Sequence, residues 1–182
     1  MLAFEFDARE LKRIADEVGA SEKDLQFAYS RALRRTAQTM KTRARKGLRT
    51  KLQLRTAGEL RKRLQGFRFK RGKGLGEVKM WFGLNDMRVS AFKGRAAQTA
   101  GGASFGGHDF AGAFVAKNAK GRRTVMRRVS GKAWPIREER APIEDEAQIF
   151  IEDEVFDEIE EVFFKNFVAE VRARTIYGVG GA

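Results

Sequence analysis

The chain has 182 residues, with 37 Lys and Arg against 24 Asp and Glu, a net charge of +13 and no cysteine. This length fits one domain with its own core. Without thiols there are no disulfides, thiolate metal sites or cysteine nucleophiles, and every apolar run is too short and too interrupted by charge to span a membrane.

Leu2, Phe4 and Phe6 alternate with Ala3 and Glu5 and predict a short strand. That opening has no basic n-region and no long apolar stretch, so a secretory signal is not expected and the chain reads as made and used in the cytoplasm. Asp7 offers an N-cap to a helix through about Val18, with Leu11, Ile14, Ala15 and Val18 as its apolar stripe and Gly19 as its stop. Ser21-Glu22-Lys23-Asp24 opens a second helix in capping-box style, with Asp where Glu or Gln is preferred. It is expected to run to about Leu48, with Leu25, Ala28, Ala32, Thr36, Met40 and Ala44 on one face. A stripe so rich in alanine suits close packing.

Residues 49–65 read as a basic linker with a short helix from Ala57 to Leu64. Phe67 and Phe69 alternate with Arg68 and Lys70, and Val78, Met80 and Phe82 with Lys79 and Trp81. With a turn at Gly72–Gly76 between them, they predict an antiparallel hairpin. Residues 94–113, rich in Gly and Ala and poor in pattern, read as a long flexible loop. Phe114–Ala116 and Thr124–Val129 read as strands joined at Lys120-Gly121, after which Trp134-Pro135-Ile136 leads out of the sheet. Pro142 suits the first turn of a last helix. That helix is expected from Ile143 to Tyr177, with an apolar stripe of Ile143, Ala147, Phe150, Ile151, Val155, Ile159, Val162, Phe163, Phe167 and Val171. The tail 178–182 is expected to fray. The fold class is α+β: long N-terminal and C-terminal helices packed on a small antiparallel β-sheet, with a long Gly-rich loop, in one domain over residues 1–182.

Charge divides the chain. Residues 31–73 carry Arg and Lys with Glu59 as their one acid, whereas 138–161 carry Asp and Glu with Arg140 as their one base. Such segments either pair, within a chain or between copies, or the basic one faces a polyanion. The candidate contacts to DNA phosphates or to an acidic partner are Arg34, Arg35, Lys41, Arg43, Arg45, Lys46 and Arg49; both readings stand. The candidate subunit-interface acids are Glu144, Asp145, Glu152, Asp153 and Asp157. Read as metal ligands, the cluster Glu144-Asp145-Glu146 with Glu152-Asp153-Glu154 would support a carboxylate-dependent nuclease, but adjacent acids on a helix point in different directions, and a solvated or partner-facing surface is preferred. His108, the one histidine, has no second His or Cys to build a metal site or triad with. Gly72–Gly76 and Gly101–Gly107 share only glycine content with phosphate-cradling loops. Ala111–Ala116 approaches the RNA-recognition strand motif but lacks its stacking aromatics, so Phe114 is read as a core residue. No helix-turn-helix, zinc finger or zipper is visible.

The order of several short phrases carries a family resemblance. Val78-Lys79-Met80-Trp81-Phe82-Gly83-Leu84-Asn85 is followed by Arg88-Val89-Ser90-Ala91-Phe92, Gln98-Thr99 and a Gly-rich stretch. Then come Ala113-Phe114-Val115-Ala116, Thr124-Val125-Met126-Arg127-Arg128, Pro135-Ile136 and Pro142-Ile143, all behind an Arg- and Ala-rich helix. Over residues 20–165 this resembles the tail-completion family of minor tail protein Z from long-tailed bacteriophages and prophages. The resemblance implies a non-enzymatic structural virion protein, a basic minor tail protein of the neck. It would act in tail completion at the head-proximal end and in head–tail joining, during virus assembly in the host cytoplasm. It implies a homo-oligomeric ring, most simply hexameric, around the DNA channel. Its neighbours would be tail terminator, tail tube or head-connector proteins, with non-specific DNA contact in the channel and no membrane, cofactor, metal or catalytic residue. The alternative is a non-specific nucleic-acid-binding protein that uses the basic 31–73 face.

Overall fold

The computed structural model describes residues 2–4, 6–64, 67–70, 77–80 and 82–178. The chain begins with strand β1 (Leu2–Phe4), helix α1 (Ala8–Glu17) and helix α2 (Glu22–Lys51). A 3-10 turn at Ala57–Leu60 precedes the hairpin β2 (Phe67–Lys70) and β3 (Glu77–Met80). Next come β4 (Met87–Arg88), β5 (Ala96–Thr99), β6 (Gly102–Phe105), β7 (His108–Ala111), β8 (Phe114–Lys117), β9 (Arg123–Arg128), β10 (Ile136–Glu138) and β11 (Arg140–Ala141). The chain ends in α3 (Glu144–Phe150), a π-helical turn (Ile151–Phe156) and α4 (Ile159–Thr175). The fold is mixed α+β, with helices towards both ends and small antiparallel sheets between them.

Two compact units form. The first contains Met1–Arg45, Arg63–Gly83 and Ile151–Ala182; the second contains Lys46–Lys62 and Leu84–Phe150.

In the first unit the helix starts follow the sequence signals. The Asp7 carboxylate accepts from the Arg9 N–H at 2.8 Å. Ser21 Oγ accepts from the Asp24 N–H at 3.1 Å and donates to the Asp24 carboxylate at 2.5 Å, so Asp24 closes the box on the serine hydroxyl. Along α2 the alanine stripe is buried at Ala28, Ala32 and Ala44, together with Tyr29, Leu33, Thr36, Ala37 and Met40. Opposite it, α4 buries Phe163, Phe167 and Val171. Phe163 is the hub: its ring stacks on Phe6 with centroids 3.6 Å apart and meets Tyr29 edge-on at 5.5 Å. Full burial of such a side chain is worth about 2–3 kcal/mol. The first unit also holds the sheet β1-β3-β2, in register at Leu2↔Met80 and Phe67↔Met80. The predicted hairpin forms; the Gly72–Gly76 turn lies outside the described residues, as do residues 179–182 of the predicted frayed tail.

In the second unit, the reading of 94–113 as a loop is corrected. This segment builds the antiparallel sheet β5-β6-β7. Both of its turns are two-residue connections. The second is Gly106-Gly107, with φ of +57° and +89°, the backbone that a tight hairpin needs and glycine supplies without strain. A second sheet, β10-β9-β8, lies against it, and Val89, Ala103, Phe105, Ala113, Val125 and Ala141 fill the core. Gln98 ties the two together: its side-chain carbonyl accepts from the Val115 N–H at 2.9 Å, and its amide donates to the Gly102 carbonyl at 2.7 Å. Trp134-Pro135-Ile136 does not leave the sheet. Ile136 opens β10, paired with Arg128, and the Val129 N–H donates to the Pro135 carbonyl at 3.0 Å. The predicted helix Ala57–Leu64 shortens to the 3-10 turn.

The last helix is also corrected, because it is not continuous. The π turn interrupts it, and a turn at 157–158 separates that segment from α4. The interruption begins where the chain passes from the second unit to the first.

Candidate functional site

Helix geometry puts most of the basic residues of α2 opposite its buried alanine stripe. Arg34, Arg35, Arg43, Lys46 and Arg49 are exposed, and Lys41 and Arg45 are half-buried. These cations divide by what they touch. Arg35 donates to Glu170 at 2.8 Å, and Arg31 approaches the other carboxylate oxygen of Glu170 at 3.4 Å. Arg43 pairs with Glu158. Arg34 and Lys41 are also engaged. Arg45, Lys46 and Arg49 make no ion pair among the described residues.

Glu170 is a residue the sequence reading missed. It is 7% exposed on an otherwise apolar helix face, and it holds two arginines whose other surfaces stay in water. A carboxylate this buried needs both partners to offset its lost hydration. Beside it, the Asn166 amide donates to Thr36 Oγ1 at 3.0 Å. Thr36 is buried, so the pair satisfies a hydroxyl inside the α2–α4 packing. The available signal was a lone acid three residues past Phe167, on the apolar stripe.

The candidate acids all face solvent. Glu144 and Asp145 lie in the first turn of α3, Glu152 and Asp153 on the π turn, and Asp157 just beyond it. Glu144, Asp145, Asp153 and Asp157 make no ion pair among the described residues, while Glu152 is engaged. The acidic segment therefore joins the basic one in part, through Arg43 and Glu158 in the first unit. Among the described residues no three of His, Asp and Glu are grouped to hold a metal ion. His108 is exposed on β7. Phe114 is half-buried rather than in the core, with the Arg128 guanidinium 5.4 Å over its ring.

A further exposed feature was not anticipated. The end of the β9–β10 hairpin carries Trp134, 74% exposed, and Val129, 49% exposed. Lys132 stands between them in the chain and Arg137 follows on β10, both exposed. Among the described residues no helix is long and apolar enough to cross a membrane.

No curated protein and no solved structure is significantly similar to the chain. The family model of prophage minor tail protein Z matches residues 9–175. That span takes in α1 from Arg9 on, the basic face of α2, the sheets of the second unit, the acidic turn and α4. The chain therefore belongs to the prophage minor tail protein Z family, whose members are structural proteins of the phage tail.

Proposed function

We propose that the protein completes the tail at its head-proximal end, as a ring of identical subunits around the DNA channel, and makes the tail competent to join the head. The observation that carries this reading is the set of charges left over after folding. Among the described residues, Arg45, Lys46 and Arg49 on α2 and Glu144, Asp145, Asp153 and Asp157 near the C-terminal helices make no ion pair and can meet a neighbour. A closed ring needs a heterologous interface, in which one face of a subunit meets a different face of the next. Opposite charges on one chain favour that arrangement over a face meeting itself, and set partner and register more than affinity. The expected closure is a hexamer, as the family resemblance implies. The tail terminator, tail tube and head connector are the expected neighbours, in a virion assembled in the host cytoplasm. Native mass spectrometry at moderate salt should show a ring-sized oligomer. A strict monomer at high concentration, even with tail proteins added, would overturn the ring.

A second reading concerns the channel. Cations that make no ion pair among the described residues, gathered on one long helix, suit phosphate contact, each neutralised phosphate releasing counterions. Replacing Arg45, Lys46 and Arg49 by Ala should reduce the slope of log K for duplex DNA against log salt by about 1 to 3, at roughly 0.9 per phosphate. An unchanged slope would remove these residues from any DNA surface.

A further inference from the structure

We propose that the β9–β10 hairpin is one half of a self-association interface and that its occupant is the acidic face of α3 on a second copy of this chain. The inference rests on the reading of the protein as a self-assembling subunit and names where its copies meet.

The hairpin has the composition of an interface anchor. Arg137 lies directly across from Arg127 in the β9–β10 register, and the half-exposed Val129 follows β9 by one residue. Arg127 is held by Glu139 and Arg128 lies over the Phe114 ring, while Arg137 and Lys132 make no ion pair among the described residues. Trp134, three-quarters exposed, lies two residues after Lys132 and three before Arg137 in the chain. Exposed tryptophan flanked by arginine and lysine is costly to leave in water, and Trp and Arg are the side chains that dominate binding energy at protein interfaces. The Val129–Pro135 hydrogen bond closes the base of the loop, so the anchor is presented on a pinned strand pair.

The complementary surface lies on α3. Its inward side is fixed by Ala147 and Phe150. Its outward side carries Ile149, 59% exposed, with Asp145 and Glu146 one turn before it at i−4 and i−3. An exposed isoleucine bordered by two carboxylates matches an exposed tryptophan bordered by two cations: apolar against apolar, with opposite charges at the rim. Trp134 and Ile149 are each exposed within their own copy, so neither covers the other there. One face of a copy thus fits a different face of the next, and the geometry propagates from copy to copy.

The test uses three variants of the full chain. Trp134→Ser should weaken self-association at least tenfold in sedimentation equilibrium, with the far-UV circular dichroism and melting temperature of the parent. Lys132→Glu/Arg137→Glu and Asp145→Lys/Glu146→Lys should each be defective alone. Mixed one to one, the two charge-reversed chains should co-assemble in alternation, because both contacts are then complementary. Rescue in the mixture supports the assignment and cannot arise from loss of folding. If the parent chain assembles and all three variants assemble equally well, this interface is wrong while the ring reading stands. If the parent stays monomeric at every concentration, the ring reading itself fails. If the hairpin variants assemble normally but lose affinity for duplex DNA, the hairpin belongs to nucleic acid, and the inference is overturned.

Discussion

At the scale of single residues, two neighbouring glycines separate what composition merges. A Cβ on Gly102 would lie 2.2 Å from the Phe110 carbonyl oxygen and 2.9 Å from the Gly112 nitrogen, backbone atoms of β7 and of the residue that follows it, whereas one on Gly101 meets nothing within 4 Å. Gly102→Ala should therefore cost about 3 kcal/mol or more, since backbone has no rotamer into which to retreat. Gly101→Ala should stay within about 0.5 kcal/mol of the parent, as for surface changes away from special features. Urea midpoints of the two variants check this, and equal midpoints would refute the close packing at Gly102. At Glu170 the expected costs are unequal as well. Replacing both Arg31 and Arg35 by Met strands a buried carboxylate and should cost about 2–3 kcal/mol. Glu170→Gln leaves two arginines in water and keeps a polar group, so the loss should be about 1 kcal/mol, close to that of an exposed pair. The reverse order in thermal melts would mean the carboxylate is not held by the arginines. These roles were hidden in the sequence because glycine letters do not distinguish turn from close approach, and partners 135 residues apart, as Arg35 and Glu170 are, are set by tertiary packing.

At the scale of elements, legibility followed the strength of periodicity. The long helix α2, the caps at Asp7 and Ser21 and the hairpin β2–β3 were readable because hydrophobic spacing and capping chemistry are local. The sheet β5–β7 was not, since its inward residues are Gly102, Ala103 and Phe105, and small side chains leave no alternation to see. The Gly-Gly pair between Phe105 and His108 was the overlooked hairpin signal. As the central strand, β6 should show amide protons exchanging orders of magnitude more slowly than those of the exposed 130–134 segment. Uniformly fast exchange over 96–111 would restore the flexible-loop reading. The break in the last helix has a cause in spacing. Ala147, Ile151, Val155, Ile159, Phe163, Phe167 and Val171 are all buried and recur at every fourth residue. In an α-helix, 3.6 residues per turn make each four-residue step drift by about 40°. Over six such steps the stripe would move about 240° around an unbroken helix. An underwound π turn followed by a non-helical pair interrupts that drift. Ala147 and Phe150, before it, are buried in the second unit, and the buried residues of α4, after it, belong to the first.

At the scale of the whole molecule, the net charge and the local charge pattern oppose one another in assembly. A subunit of charge +13 repels its copies at long range, while in the proposed ring cations on α2 and the hairpin and acids on α3 and the π turn would attract at contact. Salt acts on the two unequally. Raising ionic strength from about 0.01 M to 0.15 M shortens the Debye length from roughly 30 Å to 8 Å, which removes repulsion between subunit centres but leaves ion pairs at contact distance largely intact. At about 1 M the length is roughly 3 Å, and the contact pairs weaken too. Self-association should therefore pass through a maximum near physiological ionic strength, read as the weight-average mass in sedimentation runs across a salt series. A steady rise to 1 M would assign the contact to apolar anchors without charge complementarity, and a steady fall would mean that net repulsion plays no part. DNA binding has no such maximum, because both the net charge and the local cations attract phosphate and every increment of salt weakens them. The shape of the salt curve thus separates an assembling subunit from a polyanion binder on a single preparation, and it does so without altering a residue.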